Sequence, residues 1–145
     1  MKALIDTNVI VDVLQSREPW CRQGQEIFLA VANRRIIGCI TAKEAADIYY
    51  FARKQFAGQD RVDEKARDVL AKLYALFEVL DTLAEDCRNA LGINNGDYED
   101  AMMIAAAVRC GADCIVTRNE AHFAAGPVPV YSPERFLEKL SSVTE

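Results

Sequence analysis

Acidic residues recur in this sequence at the ends of apolar runs. Asp6 directly follows one run, Glu44 comes shortly after another, and Asp97 and Asp100 open a segment with apolar residues at helical spacing; residues 117–119 add a fourth polar cluster. The carboxyl ends of parallel strands meet at one edge of a sheet, where ligands bind. Carboxylate and amide oxygens are the ligands that Mg²⁺ prefers. The pattern therefore predicts a metal-binding acidic pocket.

Each of these residues also has a purely structural interpretation. Thr41 and Glu44 have the spacing of a capping box, Asp97 can cap the helix that follows it, and Asp6 can do the same. Asp100 is harder to explain as a cap, because it lies one helical turn after Asp97 on a face that borders apolar residues. Four clusters in one small chain favour a convergent acidic site over four unrelated caps.

Strands and helices are predicted to alternate, which is typical of a parallel sheet covered by helices. The predicted strands are residues 2–6, 36–40, 77–80, 114–117 and 128–131. The predicted helices are residues 8–15, 20–34, 44 to the break at Gly58, 62–75, 83–91, one beginning near Asp97, and 133–140. We therefore expect an α/β fold with three layers, α/β/α, a central parallel sheet of four to five strands, and a helical hairpin formed by the third and fourth helices.

Composition indicates one globular domain over residues 1–145, because 51% hydrophobic content at this length is enough for one core and too little for two. We expect a cytoplasmic protein, since neither a membrane span nor a secretion signal is indicated.

The five cysteines form no Cys-x-x-Cys pair, so reduced thiols are expected and a zinc site is disfavoured. A net charge of −5 argues only weakly against nucleic-acid binding, because bound cations would cancel part of it.

Three segments resemble motifs of the PIN domain family, the metal-dependent ribonuclease fold that includes VapC-type toxins. Residues 4–10 resemble its opening strand with the first catalytic aspartate, and residues 41–44 resemble its second motif, with Glu44 at the glutamate position. Residues 97–101 are similar to its third acidic motif, with the principal carboxylate at Asp100. The order and spacing of these motifs, which extend over nearly the whole chain, make the resemblance fairly specific.

Residues 114–119 resemble the fourth strand and motif of the family, and here the chain departs from the common pattern. Asn119 stands where many members carry aspartate. Its side chain offers a neutral oxygen and no charge, so a second metal ion would be held less tightly. The single histidine, His122, is predicted to be a packing or hydrogen-bonding residue in a loop.

The resemblance implies an endoribonuclease that binds one or two Mg²⁺ or Mn²⁺ ions and hydrolyses RNA by in-line attack of an activated water. Its implied site residues are Asp6, Glu44 and Asp100 as catalytic residues, Asp97 and Asn119 as metal ligands beside Asp6 and Asp100, and Thr7 and Asn8 as supports of Asp6. Arg118 is the candidate phosphate contact, because a guanidinium matches phosphate oxygens with a forked pair of donors.

A toxin of a type II toxin–antitoxin pair would further imply a small antitoxin as partner and a homodimer. The main alternative is a PIN scaffold that has lost catalysis through Asn119 and works by binding protein or RNA. Two other phosphate-handling classes fit less well. A haloacid dehalogenase-type enzyme needs an acidic residue at Asn8, and a receiver-like module, in which Asp81 could be the phosphorylated residue, needs a lysine after the fifth strand.

Overall fold

A computed structural model describes residues 1–143 as a parallel sheet flanked by helices. Its strands are β1 (Lys2–Ile5), β2 (Ile37–Thr41), β3 (Glu78–Leu80), β4 (Cys114–Val116) and β5 (Val130–Tyr131). Its helices are α1 (Thr7–Leu14), α2 (Cys21–Ala32), α3 (Ala42–Gln55), α4 (Val62–Leu76), α5 (Ala84–Ala90), α6 (Tyr98–Arg109), α7 (Glu120–Phe123) and α8 (Pro133–Val143).

The sheet has five parallel strands in the order β3-β2-β1-β4-β5, which confirms the predicted fold class. The chain leaves the central strand β1 and builds β2 and β3 on one side, and then returns to build β4 and β5 on the other. In open α/β sheets, the strand at which the order reverses leaves a crevice at its carboxyl end. Asp6 lies at that end of β1.

Side chains of β1 point alternately to two apolar layers, as period-two geometry requires. Ala3 and Ile5 belong to one buried cluster and Leu4 to the other. The first layer is completed by α2, α3, α4 and α8, and the second by α6 and α7, through the buried residues Ile27, Ile48, Leu73, Phe136, Met103, Ile104 and Phe123. The three central strands, β2, β1 and β4, are therefore covered on both faces, and the polar residues of the sheet appear only at strand ends.

Helices α3 and α4 form the predicted hairpin. They pack against each other, and each buries an alanine, Ala52 and Ala66, whose small side chains permit close approach. Gly58 lies in the connection with a φ of +82°, a conformation that glycine adopts at little cost. The hairpin thereby brings one face of α3 to the carboxyl edge of the sheet.

Two elements differ from prediction. His122 lies in the one-turn helix α7 rather than in a loop, because four residues are too few to show helical periodicity in a sequence. Strand β5 is shorter than predicted and begins after Pro129, which has no N–H to donate, although its carbonyl accepts a hydrogen bond from the Ile115 N–H at 2.9 Å.

Two expectations drawn from composition can be compared with the structure. All five cysteines are free thiols, as predicted. Within residues 1–143, no helix is long and apolar enough to cross a membrane.

Candidate metal centre

Asp6 is a buried carboxylate between β1 and α1. Its backbone N–H donates to the Val116 carbonyl at 2.9 Å, and its Oδ2 accepts a hydrogen bond of 2.6 Å from the Thr117 hydroxyl. Burial raises the pKa of Asp6 to about 6, against the smaller opposing effect of the Thr117 hydrogen bond, and the nearby charge of Asp100 adds to the rise. The carboxylate is therefore held in place at a substantial electrostatic cost.

Glu44 is fully buried at the beginning of α3. The capping box predicted from sequence is present, since the Glu44 N–H donates to Thr41 Oγ1 at 3.2 Å and Glu44 Oε1 accepts from the Thr41 N–H at 2.8 Å. The second oxygen, Oε2, accepts a hydrogen bond of 3.3 Å from the Thr7 hydroxyl. Burial raises the pKa of Glu44 well above its usual value, and the charge of Asp6 raises it further. Glu44 therefore serves as a cap and is also an electrostatic neighbour of Asp6.

Asp97 and Asp100 lie at the start of α6. Asp97 is the N-cap, and its Oδ1 accepts a hydrogen bond of 3.1 Å from the Asp100 N–H. The Asp100 side chain is 16% exposed, and its Oδ2 lies 2.8 Å from His122 Nδ1. Burial raises the pKa of Asp100, and the contact with His122 opposes that rise. Asp97 is thus both a cap and a member of the acidic cluster.

A cavity of about 410 Å³ joins most of the predicted site residues. Its wall includes Asp6, Thr7, Asn8, Asp97, Asp100 and Asn119. Glu44 does not line this cavity and lies behind Thr7, to which it is hydrogen-bonded. The four predicted motifs therefore meet at one edge of the sheet.

The residues predicted to support Asp6 make their own side-chain contacts elsewhere. The Thr7 hydroxyl donates to Glu44, and the Asn8 side-chain carbonyl accepts a hydrogen bond of 3.4 Å from the Arg118 N–H. The hydroxyl bonded to Asp6 is that of Thr117, which also accepts from the Asn119 N–H at 2.9 Å. The only feature of the sequence that pointed to Thr117 was its place in the polar cluster after β4.

Arg118 points away from the acidic cavity. Its Nε donates to Asp12 Oδ2 at 2.7 Å, and its Nη2 donates to Asp12 Oδ1 at 3.1 Å. The guanidinium also stacks on Trp20, with its central carbon 4.0 Å from the ring centroid. Any contact with phosphate must therefore use the remaining N–H groups or displace Asp12.

Two basic side chains that were not predicted for the site, those of Arg17 and Lys43, also line the cavity. Lys43 Nζ lies 2.6 Å from an Asp47 oxygen and 3.0 Å from a Glu99 oxygen, so it links α3 to α6. The aromatic residues Tyr50 and Phe51 line the wall beside Arg17. The one sequence signal for Lys43 was its position next to Glu44.

The donor set fits a divalent cation. Within residues 1–143, neither Asp6 nor Glu44 forms an ion pair with a lysine or arginine. Buried carboxylates without a counter-charge are unfavourable unless they are protonated or bind a cation. Hard oxygen donors at such a site suit Mg²⁺ or Mn²⁺. The arrangement can therefore bind metal at the edge of a cavity that is open to a substrate.

A family model for the PIN domain matches residues 2–121. No curated protein sequence matches the chain.

Solved structures share the fold at low sequence identity. DNA-bound VapBC from Salmonella typhimurium is 22% identical with a TM-score of 0.63, over 92% of this chain and 98% of that one. VapBC2 from Rickettsia felis, bound to a promoter DNA fragment, is 17% identical with a TM-score of 0.63, over 91% and 98%. VapC20 from Mycobacterium tuberculosis, a toxin that cleaves the sarcin–ricin loop, is 11% identical with a TM-score of 0.58, over 78% and 86%.

Proposed function

This chain belongs to the PIN domain family, and we propose that it is a metal-dependent endoribonuclease that hydrolyses RNA phosphodiester bonds. One observation carries the proposal. Two buried carboxylates without a basic partner, Asp6 and Glu44, meet Asp97 and Asp100 at the carboxyl edge of the sheet. Burial raises the pKa of both residues, so their ionised forms are unfavourable in the metal-free protein, whereas a bound cation would stabilise them.

Asp6 and Asp100 are the proposed primary ligands of Mg²⁺ or Mn²⁺, with Asp97 and the amide oxygen of Asn119 as additional ligands. All four line the same cavity. Glu44 lies behind this wall and is coupled to the site electrostatically, since the charge of Asp6 raises the pKa of Glu44. The hydroxyls of Thr7 and Thr117 keep the two buried carboxylates oriented.

In the proposed reaction, a water oxygen attacks the phosphorus, the bond to the leaving sugar oxygen breaks, and the proton that the water loses is returned through solvent to that oxygen, which leaves as a hydroxyl. A bound divalent cation supplies Lewis acidity, which stabilises negative charge on the phosphate and favours deprotonation of water. The carboxylates contribute by holding that cation and by orienting the water. The chain needs neither a serine nor a histidine nucleophile for this reaction.

The basic side chains of the cavity wall are proposed to contact the RNA backbone. Arg17 and Lys43 line the cavity, whereas Arg118, the contact proposed from sequence, does not; both Lys43 and Arg118 would have to share their charge with the carboxylates that they already contact. Tyr50 and Phe51 offer aromatic surface on the same wall, and unpaired bases stack on such rings. This combination supports RNA as the substrate.

We also propose that the chain is the toxin of a type II pair, with a small antitoxin as its partner and a homodimer as its assembly. The support is the family, together with an apolar depression of about 560 Å³ on the α3–α4 hairpin. Tyr50 lines both this depression and the acidic cavity, so a partner bound to the hairpin would reach the site. Co-expression and co-purification with the product of an adjacent reading frame would test this proposal.

The test of the nuclease is cleavage of structured and single-stranded RNAs with Mn²⁺ or Mg²⁺ and after chelation. Asp6→Asn and Asp100→Asn should each lower the cleavage rate by at least about 100-fold, because each removes a charged metal ligand. Asp68→Asn, on the exposed side of α4, is the matched control and should retain full activity. Activity that survives chelation, or that is equal in all the variants, would contradict the proposal.

A binding scaffold without catalysis is the second candidate, favoured by the neutral Asn119 at the cavity wall. Metal-induced stabilisation separates the two functions, because a cation that binds only the folded state raises the melting temperature. A wild-type protein that cleaves no RNA and gains no thermal stability from Mn²⁺ would identify the scaffold.

A further inference from the structure

We propose that Asp97, Asp100 and His122 form a mixed oxygen–nitrogen cation site that favours Mn²⁺ over Mg²⁺. The inference rests on the proposed function in one respect, since it assigns ligands and metal preference to the acidic site through the shared residue Asp100. It adds a nitrogen ligand, and it gives the single histidine of the chain a chemical role.

The distances among the three side chains suit one ion. His122 Nδ1 lies 2.8 Å from Asp100 Oδ2 and 3.8 Å from Asp97 Oδ2, and one ligand atom from each residue lies within 4.8 Å of the others. Ligand atoms about 2.1 Å from an ion are about 3 Å apart when adjacent and about 4.2 Å apart when opposite. Little movement is needed to place a cation among the three groups.

The positions of these side chains are set by contacts outside the cluster. Asp97 uses Oδ1 to cap α6, which leaves Oδ2 free to face His122. Asn95 donates from its side-chain amide to the His122 carbonyl at 2.8 Å, which ties α7 to the turn before α6. The next residue, Phe123, is fully buried in the core. The imidazole is therefore held near the carboxylates from both sides.

The cluster is partly desolvated but accessible. The side chains of Asp97, Asp100 and His122 are 38%, 16% and 43% exposed, so an ion from solvent can reach them. Asp100 also lines the cavity that contains Asp6, and Asn119 lies on the same wall. A cation held by the cluster would consequently border the proposed substrate site.

The nitrogen donor determines which metal this cluster prefers. Imidazole suits transition metals, and an all-oxygen set suits Mg²⁺ and Mn²⁺ about equally well, so adding His122 shifts the preference toward Mn²⁺. Removal of the imidazole should weaken Mn²⁺ binding by about tenfold or more and change Mg²⁺ binding by less than about threefold. The neutral Asn119 makes this additional donor more important, because the wall lacks an aspartate there.

Pulsed electron paramagnetic resonance of the full chain with Mn²⁺ is the direct test, because it detects ¹⁴N of a coordinated imidazole. The wild type should show this coupling, and His122→Ala and His122→Gln should lose it. Titration calorimetry of the same proteins with Mn²⁺ and Mg²⁺ measures the two affinities. Ala121→Gln changes the exposed neighbour on α7 and is the matched control.

The outcomes are distinguishable from those of the nuclease test. Bound Mn²⁺ without nitrogen coupling, together with unchanged Mn²⁺ affinity in His122→Ala, would overturn the ligand assignment even if RNA is cleaved. Nitrogen coupling in a protein that cleaves no RNA would support the cation site and contradict the nuclease. A wild type that binds Mg²⁺ but no Mn²⁺ would overturn the mixed site alone, and one that binds neither ion would overturn both proposals. The wild-type spectrum alone decides the point if a variant fails to fold.

Discussion

Among residues 1–143 four acidic side chains are buried, and they fall into two pairs with opposite surroundings. Asp12 and Asp86 each receive a forked pair of hydrogen bonds from an arginine, Arg118 and Arg109 respectively. Asp6 and Glu44 receive only hydroxyl and backbone hydrogen bonds. Two buried carboxylates are therefore bonded directly to an arginine, whereas Asp6 and Glu44 have no directly bonded basic partner and Asp6 senses the charge of Lys43 only at longer range.

The pKa directions of three of these carboxylates follow this difference. The Arg109 hydrogen bonds lower the pKa of Asp86, whereas burial raises the pKa of Asp6 and of Glu44. An arginine neutralises a carboxylate permanently, but it also occupies the oxygens that a metal ion would need. The comparison supports the proposal that the first pair serves stability and the second pair serves metal binding, and the following experiments probe that division.

The largest expected effect is the loss of an arginine partner. Arg109→Met should lower the free energy of unfolding more than any other change proposed below, because it removes the forked pair of hydrogen bonds and the counter-charge of Asp86, whose side chain has no exposed surface. Urea denaturation monitored by circular dichroism measures this change. Arg88→Met, at an exposed position of α5, is the control. A loss as small as that of the control would show that Asp86 does not depend on its arginine.

The pH dependence of the free energy of unfolding should show the raised pKa of Asp6, which has no directly bonded basic partner. Because the pKa of Asp6 rises from 3.8 to about 6 on folding, the metal-free folded state holds more protons than the unfolded state in this interval, so stability falls as pH increases through it. The contribution of Asp6 is on the order of 2–3 kcal/mol. Subtracting the stability curve of Asp6→Asn from that of the wild type isolates it. A difference that is flat between these pH values would contradict the assignment.

Glu44 permits a sharper comparison between charge and capping. Glu44→Gln keeps the size of the side chain and an acceptor for the Thr41 N–H but cannot ionise, so the stability of this variant relative to the metal-free wild type should increase as pH rises, because burial disfavours only the ionised carboxylate. Glu44→Ala loses the cap and should destabilise by about 1 kcal/mol or more. Thermal unfolding with and without chelator measures both variants. A Glu44→Gln variant that gains no stability relative to the wild type as pH rises would contradict the cost assigned to the buried charge.

The smallest expected change in stability is at the cavity wall. Lys43→Gln breaks the contacts with Asp47 and Glu99, and such partly exposed pairs contribute less than about 1 kcal/mol. The same change should raise KM for RNA severalfold while leaving kcat nearly unchanged, if Lys43 contacts phosphate. Equal kinetics for this variant and the wild type would assign Lys43 a purely structural role.

Much of the architecture was predictable from local sequence signals. Apolar runs, helical spacing and the break at Gly58 placed the strands and every helix except α7 within a few residues of their observed bounds. Helix α7 was missed because one turn has no periodicity. The contact between His122 and Asp100 was equally hidden, since the two residues come from separate segments that meet only in the folded chain.

The amino-acid sequence by itself determined that carboxylates follow apolar runs, because side-chain type and spacing are local properties. Parallel strands then require those run ends to meet at one edge. Only the tertiary structure decided which carboxylates obtain an arginine. Asp12 pairs with Arg118 across the fold, whereas Asp6 meets Thr117, one residue earlier in the same segment. Burial and counter-charge depend on which distant segments come together, and these two quantities separate a structural acid from a proposed metal ligand.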